Sequence, residues 1–195
     1  MATAKAYGVS KILAFDISPS RVEFARKSGA DYASLPLTRP EGGDDFEWAE
    51  NFKAEALKAA GVDSWGVDVV VEASGAPASM AAGMSFVHNG GTCERSYLFT
   101  RPSEISDCLS DVQAGLGPMF NKFPTFLIVA KEIDVIGSVR YTAGCFQTAI
   151  DLMASGKIDM KPLITSTYPL SKSVEALEAV RSGNDLKVVI MNQQV

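Results

Sequence analysis

Short apolar runs alternate with helix-like segments along most of the chain, and this alternation limits the possible folds more than any other feature. The run at 67–72 is rich in valine and does not alternate polar with apolar residues. Such a continuous run is typical of a strand covered by helices on both faces. Similar runs predict further strands, at 11–16, 31–35, 132–139 and 186–191.

Helical spacing follows most of these runs. Ser18 before Pro19 is a typical helix start, Ser20 with Glu23 is an alternative start as a capping box, and Gly29 ends the segment. Apolar residues three and four positions apart predict further helices, at 46–60, 76–88, 146–155 and 171–180. The repeated strand and helix predict an α/β fold, a Rossmann-like parallel sheet with helices on both faces.

The composition is that of an ordinary folded domain. Of the 195 residues, 47% are hydrophobic and 21% are charged, which predicts a single domain over 1–195 rather than disorder. A net charge of −5 argues against a nucleic-acid partner. No apolar run reaches the roughly 20 residues of a membrane span, so we expect no membrane partner. Three cysteines without a C-x-x-C pair indicate reduced thiols and a cytoplasmic protein.

One segment, 93–111, departs from the strand and helix pattern. It shows neither strand nor helix periodicity, and it lies where a strand should follow the turn at Gly90 and Gly91. We therefore expect an atypical insertion at 93–111. Our hypothesis for its origin is a translated intron or a mis-joined exon.

An acid at the end of a predicted strand is the strongest candidate for a ligand contact. In a doubly wound sheet, ligands bind beyond the carboxyl ends of the strands, where such an acid accepts hydrogen bonds from the ribose of NAD. Its charge also repels the extra phosphate of NADP. Asp16 occupies this position, although it could instead belong to the start of the next helix. Arg21, one helical turn further on, could reach the same ribose or lie in solvent.

Other chemistry has weaker support. The G-x-G-x-x-G turn expected about 20 residues before such an acid is absent, and residues 2–7 are predicted as the end of the helix that would follow it, stopped by Gly8. The G-x-G at 115–117 opens no convincing helix. Ser74 lacks the first glycine of a hydrolase nucleophile elbow, and His88 is assigned no role.

Several short segments occur in the order found in one enzyme family. They lie at 4–8, 15–21, 69–76, 115–117, 131–133, 137–141 and 161–165. Together they resemble the cofactor-binding half of the zinc-dependent polyol dehydrogenases, the sorbitol, xylitol and L-arabinitol dehydrogenases of the medium-chain superfamily. The likeness covers nearly the whole chain except 93–111.

The resemblance implies roles for particular residues. It implies a cofactor site for NAD formed by Asp16, Arg21, Ala114, Gly115, Leu116, Ser138, Val139 and Arg140. It further implies that Arg140 and Tyr141 reach the polyol substrate. In the family a zinc ion polarises the substrate hydroxyl while hydride passes to NAD, so a secondary alcohol is oxidised to a ketose.

The family elements without a counterpart here lead to further expectations. The half that carries the zinc ligands is missing, so we expect no metal site, no catalytic residue and no activity of this chain alone. The alternative to an enzyme is a truncated remnant that binds a nucleotide weakly or acts through protein contacts. The first Rossmann strand is also missing. We therefore expect the strands beside the gap to pair with each other, or the chain to self-associate through the open edge.

Overall fold

The computed structural model describes residues 1–89, 110–113, 123–138, 141 and 143–192. Its contacts group into two compact units, one of Lys11–Ala143 and one of Met1–Ser10 with Gly144–Val195. The expectation of a single domain over 1–195 stays a prediction.

Strands and helices alternate along the described chain. The strands are β1 (Leu13–Phe15), β2 (Tyr32–Ser34), β3 (Val69–Glu72), β4 (Ser110–Gln113), β5 (Asp134–Gly137), β6 (Ser166–Pro169) and β7 (Val188–Met191). The α-helices are α1 (Ala2–Ala6), α2 (Pro19–Lys27), α3 (Asp45–Ala60), α4 (Pro77–Phe86), α5 (Thr125–Lys131), α6 (Cys145–Ala154) and α7 (Ser173–Ser182). Single turns of 3₁₀ helix occupy Lys161–Leu163 and Leu170–Lys172.

All the strand pairs in the described residues are parallel. Strand β1 pairs with β2, β4 lies between β3 and β5, and β6 pairs with β7. This confirms the predicted α/β class with a Rossmann-like parallel arrangement. Strands β1 and β3 belong to different sheets, so the expectation that the strands beside the gap pair with each other is wrong. Residues of α3 and α4 pack against strands of both sheets in the larger unit.

The elements missing from the sequence prediction carry weak local signals. Helix α5 has only seven residues, several of them β-branched or aromatic, and such residues disfavour helix locally. Strand β6 ends in a proline, which lowers its strand signal. Strand β4 begins at Ser110, so the last two residues of the predicted insertion belong to a strand. The remainder of 93–111 lies outside the described residues.

Helix α3 supplies much of the larger unit's core. Its N-cap Asp44 accepts a hydrogen bond from Phe46 N at 2.7 Å, and Gly61 ends it with a left-handed φ of 61°. One face of the helix buries Trp48, Ala49, Phe52, Ala56 and Leu57. This face packs against α4 and against residues of both β1 and β3, which positions the two sheets around one core.

A buried lysine joins α5 to the end of α4. The Nζ atom of Lys131 donates hydrogen bonds to the carbonyl oxygens of Met84 (3.1 Å), Ser85 (2.8 Å) and Val87 (3.0 Å). Carbonyls at a helix end have no partner within the helix and carry partial negative charge, so an ammonium group satisfies them well. Burial, with a smaller contribution from Lys53, lowers the pKa of Lys131 to about 8, while Glu50 acts in the opposite direction.

The smaller unit has few buried side chains. Ile158 and Ala176 are its buried hydrophobic residues in the described chain. Its helices α6 and α7 leave apolar side chains exposed, namely Phe146, Ile150, Met153, Val174, Leu177 and Val180. The predicted end of the first helix is confirmed in this unit, because α1 stops before Gly8, which has a φ of 86°. No described helix is both long and apolar enough to cross a membrane.

Candidate functional site

In the sheet of β3, β4 and β5, the strand register brings three chain segments to the end where the strands finish, the carboxyl edge. Glu72, Gln113 and Gly137 are the last residues of β3, β4 and β5, and they are aligned as neighbours across the sheet. The residues that follow each strand therefore leave the sheet at the same level. This carboxyl edge is where ligands bind in open parallel sheets.

A side-chain contact links the start of β1 to the segment that leads to β3. Lys11, just before β1, donates a hydrogen bond from Nζ to the carbonyl oxygen of Gly61 at 3.0 Å. Gly61 follows α3 and precedes β3 in the sequence.

Asp16 directly follows β1. Its Oδ1 accepts a hydrogen bond from Ser18 N at 2.9 Å, and its Oδ2 lies 3.8 Å from a guanidinium nitrogen of Arg21. The carboxyl group is 32% exposed. One oxygen of Asp16 therefore shapes the start of α2, as the alternative interpretation expected, and its contact with a ribose stays a prediction.

The start of α2 distinguishes the two predicted helix caps. Ser18 is the N-cap and Pro19 the first helical residue, as expected, although the Ser18 hydroxyl pairs with Ser20 Oγ at 2.8 Å instead of capping the helix. The alternative capping box of Ser20 and Glu23 is wrong. Glu23 points along the helix, with its carboxylate 3.4 Å from Arg26 and 3.5 Å from Lys27.

A second strand-end acid, Glu72, was missed by the sequence reasoning. Its side chain is 3% exposed and accepts hydrogen bonds from Ser74 N (2.9 Å), Ser74 Oγ (2.5 Å) and Gly75 N (2.9 Å). Burial by itself raises the pKa of Glu72, but these hydrogen bonds and one from Ser79 hold the pKa below its usual value. The available signal was the one used for Asp16, an acid that ends an apolar strand.

The remaining predicted site residues are only partly described. Ser138 directly follows β5 and is partly buried, and Tyr141 is exposed. Five residues lie outside the described part of the chain, namely Ala114, Gly115, Leu116, Val139 and Arg140. In the sequence these residues follow Gln113 and Ser138, and Gln113 is aligned with Gly137 at the end of β5. Their contacts with the cofactor stay predictions.

The described residues offer no fitting site for zinc. They contain no group of three or more His, Cys, Asp or Glu side chains that could hold a metal ion. The imidazole of His88 contacts Asp68 Oδ1 at 3.3 Å and the carbonyl oxygen of Asn89 at 3.1 Å, which is a local contact at the end of α4. We therefore derive no reaction step through a metal.

Comparison with known proteins shows what this parallel fold is similar to. Residues 1–95 match the family described as zinc-binding dehydrogenase. The chain is a relative of the zinc-binding dehydrogenases, as the resemblance implied.

Individual relatives support this relationship. The chain is 33% identical to D-xylulose reductase A from Aspergillus niger over 97% of its own length. It is 27% identical to L-idonate 5-dehydrogenase from Escherichia coli, with a TM-score of 0.67 over 97% of the chain. A zinc-binding dehydrogenase structure from Sinorhizobium meliloti, bound to NADP, has the same fold, with a TM-score of 0.69 over 97% of the chain at 22% identity.

The chain spans about half the length of the relatives it matches. It covers 45% of the Aspergillus niger reductase, 45% of the Escherichia coli enzyme and 48% of the Sinorhizobium protein. The activities of those complete proteins are therefore a basis for proposals about this chain.

Proposed function

We propose that this chain is the nucleotide-binding part of an NAD-dependent polyol dehydrogenase of the xylitol or sorbitol type. The observation that carries the proposal is Asp16, a partly exposed carboxylate that directly follows a parallel strand and lies beside Arg21. The reaction is oxidation of a secondary alcohol to a ketose. When bound, NAD would accept the hydride from the alcohol carbon.

The choice of NAD rests on charge. The Sinorhizobium protein of the same fold binds NADP, so the fold by itself does not select between the two cofactors. Asp16 would accept hydrogen bonds from the two ribose hydroxyls of NAD, whereas the 2′-phosphate of NADP would meet a negative carboxylate. Arg21 lies 3.8 Å from that carboxylate and is proposed to contact the same ribose.

The other proposed contacts come from the aligned strand ends. Ala114, Gly115 and Leu116 follow β4, while Ser138, Val139 and Arg140 follow β5, on the predicted path of the cofactor. Arg140 and Tyr141 are proposed to contact the polyol. The substrate class is supported by the 33% identity to a D-xylulose reductase. A reducing, cytoplasmic location belongs to the same proposal.

The charge of Asp16 can be tested without disturbing its turn. The substitution Asp16→Asn keeps the Oδ1 acceptor for Ser18 N but removes the negative charge. We expect the wild-type chain to bind NADH at least about tenfold more tightly than NADPH, a preference worth about 1.4 kcal/mol. The variant should lose most of this preference. Isothermal titration calorimetry with both dinucleotides measures the change.

A second aspartate provides a matched control. Asp63 Oδ1 also accepts a hydrogen bond from the backbone two residues on, Trp65 N at 3.1 Å, but it lies on the amino side of β3. Asp63→Asn should leave both affinities unchanged. Equal NADH and NADPH binding by the wild-type chain would show that Asp16 does not select the cofactor.

A non-catalytic protein that acts through its exposed sheet edges is the second candidate. It is favoured by the division of the larger unit into two sheets, because β1 and β3 each have one side without a paired strand among the described strands. Unpaired strand edges are templates for association with another chain. Xylitol oxidation by the purified chain would exclude this candidate, whereas concentration-dependent dimers without NADH binding would favour it.

A further inference from the structure

The segment after β3 reaches the carboxyl edge of the sheet together with the proposed cofactor residues. Glu72 is aligned with Gln113, the residue directly before Ala114, and Gln113 is aligned with Gly137, the residue directly before Ser138. The turn at 73–76 therefore leaves the sheet next to the ends of β4 and β5. No role has so far been assigned to it.

The shape of this turn depends on one carboxylate. Within the turn, Glu72 accepts hydrogen bonds from the backbone N–H groups of Ser74 and Gly75 and from the Ser74 hydroxyl. It also accepts one from Ser79 in the first turn of α4. The Ser74 hydroxyl in turn accepts a hydrogen bond from Ala76 N at 3.1 Å. Gly75 has a φ of 71°, a left-handed conformation that this tight turn requires.

Burying the carboxylate of Glu72 has a free-energy cost. Removing a charged group from water is unfavourable unless hydrogen bonds replace the lost hydration. Three of these hydrogen bonds come from residues two and three positions away, and the fourth comes from the first turn of α4, so the carboxylate organises the turn and the start of the helix that follows it. The N–H groups of Ser74, Gly75 and Ala76 are bonded within the turn, so a backbone held this firmly at a ligand-binding edge has its carbonyl groups in place before a ligand arrives.

We propose that Glu72 is a positioning residue for the bound cofactor, and that it acts by holding the backbone of residues 73–76 in the shape that contacts the dinucleotide. This inference rests on the proposed function. Glu72 itself is buried and does not touch the cofactor. It acts through the turn, next to the ends of β4 and β5.

The test is the affinity for NADH of variants of the full chain. In Glu72→Gln, the side-chain amide offers one oxygen and an NH₂ group to the donors of the turn, so at least one of the three hydrogen bonds is lost. We expect the Kd for NADH to rise about tenfold. Ser74→Ala removes one hydroxyl contact in a partly exposed turn, and we expect a smaller rise, of about threefold.

A control variant that loses stability but keeps the turn shows whether weaker NADH binding comes from lost positioning or from a general loss of stability. Leu127→Ala truncates a buried side chain of α5, away from the strand ends. All variants are measured at a temperature at which circular dichroism shows them fully folded. Leu127→Ala should then bind NADH as the wild-type chain does, because a purely structural loss does not change the affinity of the folded state.

The outcomes distinguish this inference from the function on which it rests. Weaker NADH binding by Glu72→Gln and Ser74→Ala, with normal binding by Leu127→Ala, supports the positioning role. Wild-type affinity in both turn variants overturns it, while the proposed function survives if Asp16→Asn still loses its preference for NADH. The absence of NADH binding by the wild-type chain overturns both.

Discussion

Replacing Phe52 with alanine is expected to lower the free energy of unfolding by about 3–5 kcal/mol, the usual cost of truncating a buried aromatic side chain. Phe52 is 5% exposed. Its ring lies 4.9 Å from that of Phe15, 5.2 Å from that of Phe86 and 5.7 Å from that of Trp48. These neighbours belong to β1, α4 and α3, so the cavity would open where three elements meet and cannot collapse freely.

A phenylalanine on the same helix provides the control. Phe46 is 50% exposed, so Phe46→Ala should cost less than about 1 kcal/mol. Urea unfolding of both variants, followed by tryptophan fluorescence and circular dichroism, measures the difference. Equal losses for Phe46→Ala and Phe52→Ala would show that the aromatic cluster is not the centre of this core.

The same substitution bears on the candidate site. Phe15 is the last residue of β1 and directly precedes Asp16, and the contact with Phe52 holds its ring in the core. Loss of the Phe52 ring should therefore loosen the end of β1. We expect the Phe52→Ala variant to have weaker NADH binding even under conditions in which it stays folded.

Replacing Lys131 with methionine is expected to lower the free energy of unfolding by about 2–4 kcal/mol at neutral pH. Methionine fills a similar volume but donates no hydrogen bond, so the carbonyls of Met84, Ser85 and Val87 lose this donor in a buried place. A buried acceptor without a partner costs about 1–3 kcal/mol, and relief from burying the ammonium offsets part of the total. Lys58→Met, on the exposed side of α3, is the matched control and should change stability little.

The pH dependence of that difference reports on Lys131 directly. Burial lowers its pKa from 10.5 to about 8, so between these values the unfolded chain holds a proton that the folded chain has released. Stability rises with pH wherever the unfolded state binds more protons, by about 1.4 kcal/mol for each pH unit in this window. The wild-type chain should therefore gain stability relative to Lys131→Met as the pH rises above 8. A difference that stays constant to about pH 10 would show that the pKa of Lys131 is not lowered.

Much of the local structure could be predicted because its cause is local. The valine-rich run at 67–72 and the apolar spacing at 46–60 set which residues can be buried on a strand or helix, and β3 and α3 formed there. The position of Asp16 after a strand followed from the same reasoning. Helix α5 was missed because its sequence disfavours helix locally, and contacts from a distant part of the chain, including those of Lys131, stabilise it.

The sequence by itself determined the α/β class, the parallel character of the strands and the acid at the end of β1, because each follows from residue spacing within one or two elements. Only the tertiary structure decided that β1 and β3 do not pair with each other, and that Glu72, Gln113 and Gly137 lie in one row. It also decided that Lys131 binds carbonyls 44 to 47 residues away. These features depend on which elements become neighbours, and that choice is made by burial and hydrogen bonding across the whole unit rather than by any local pattern.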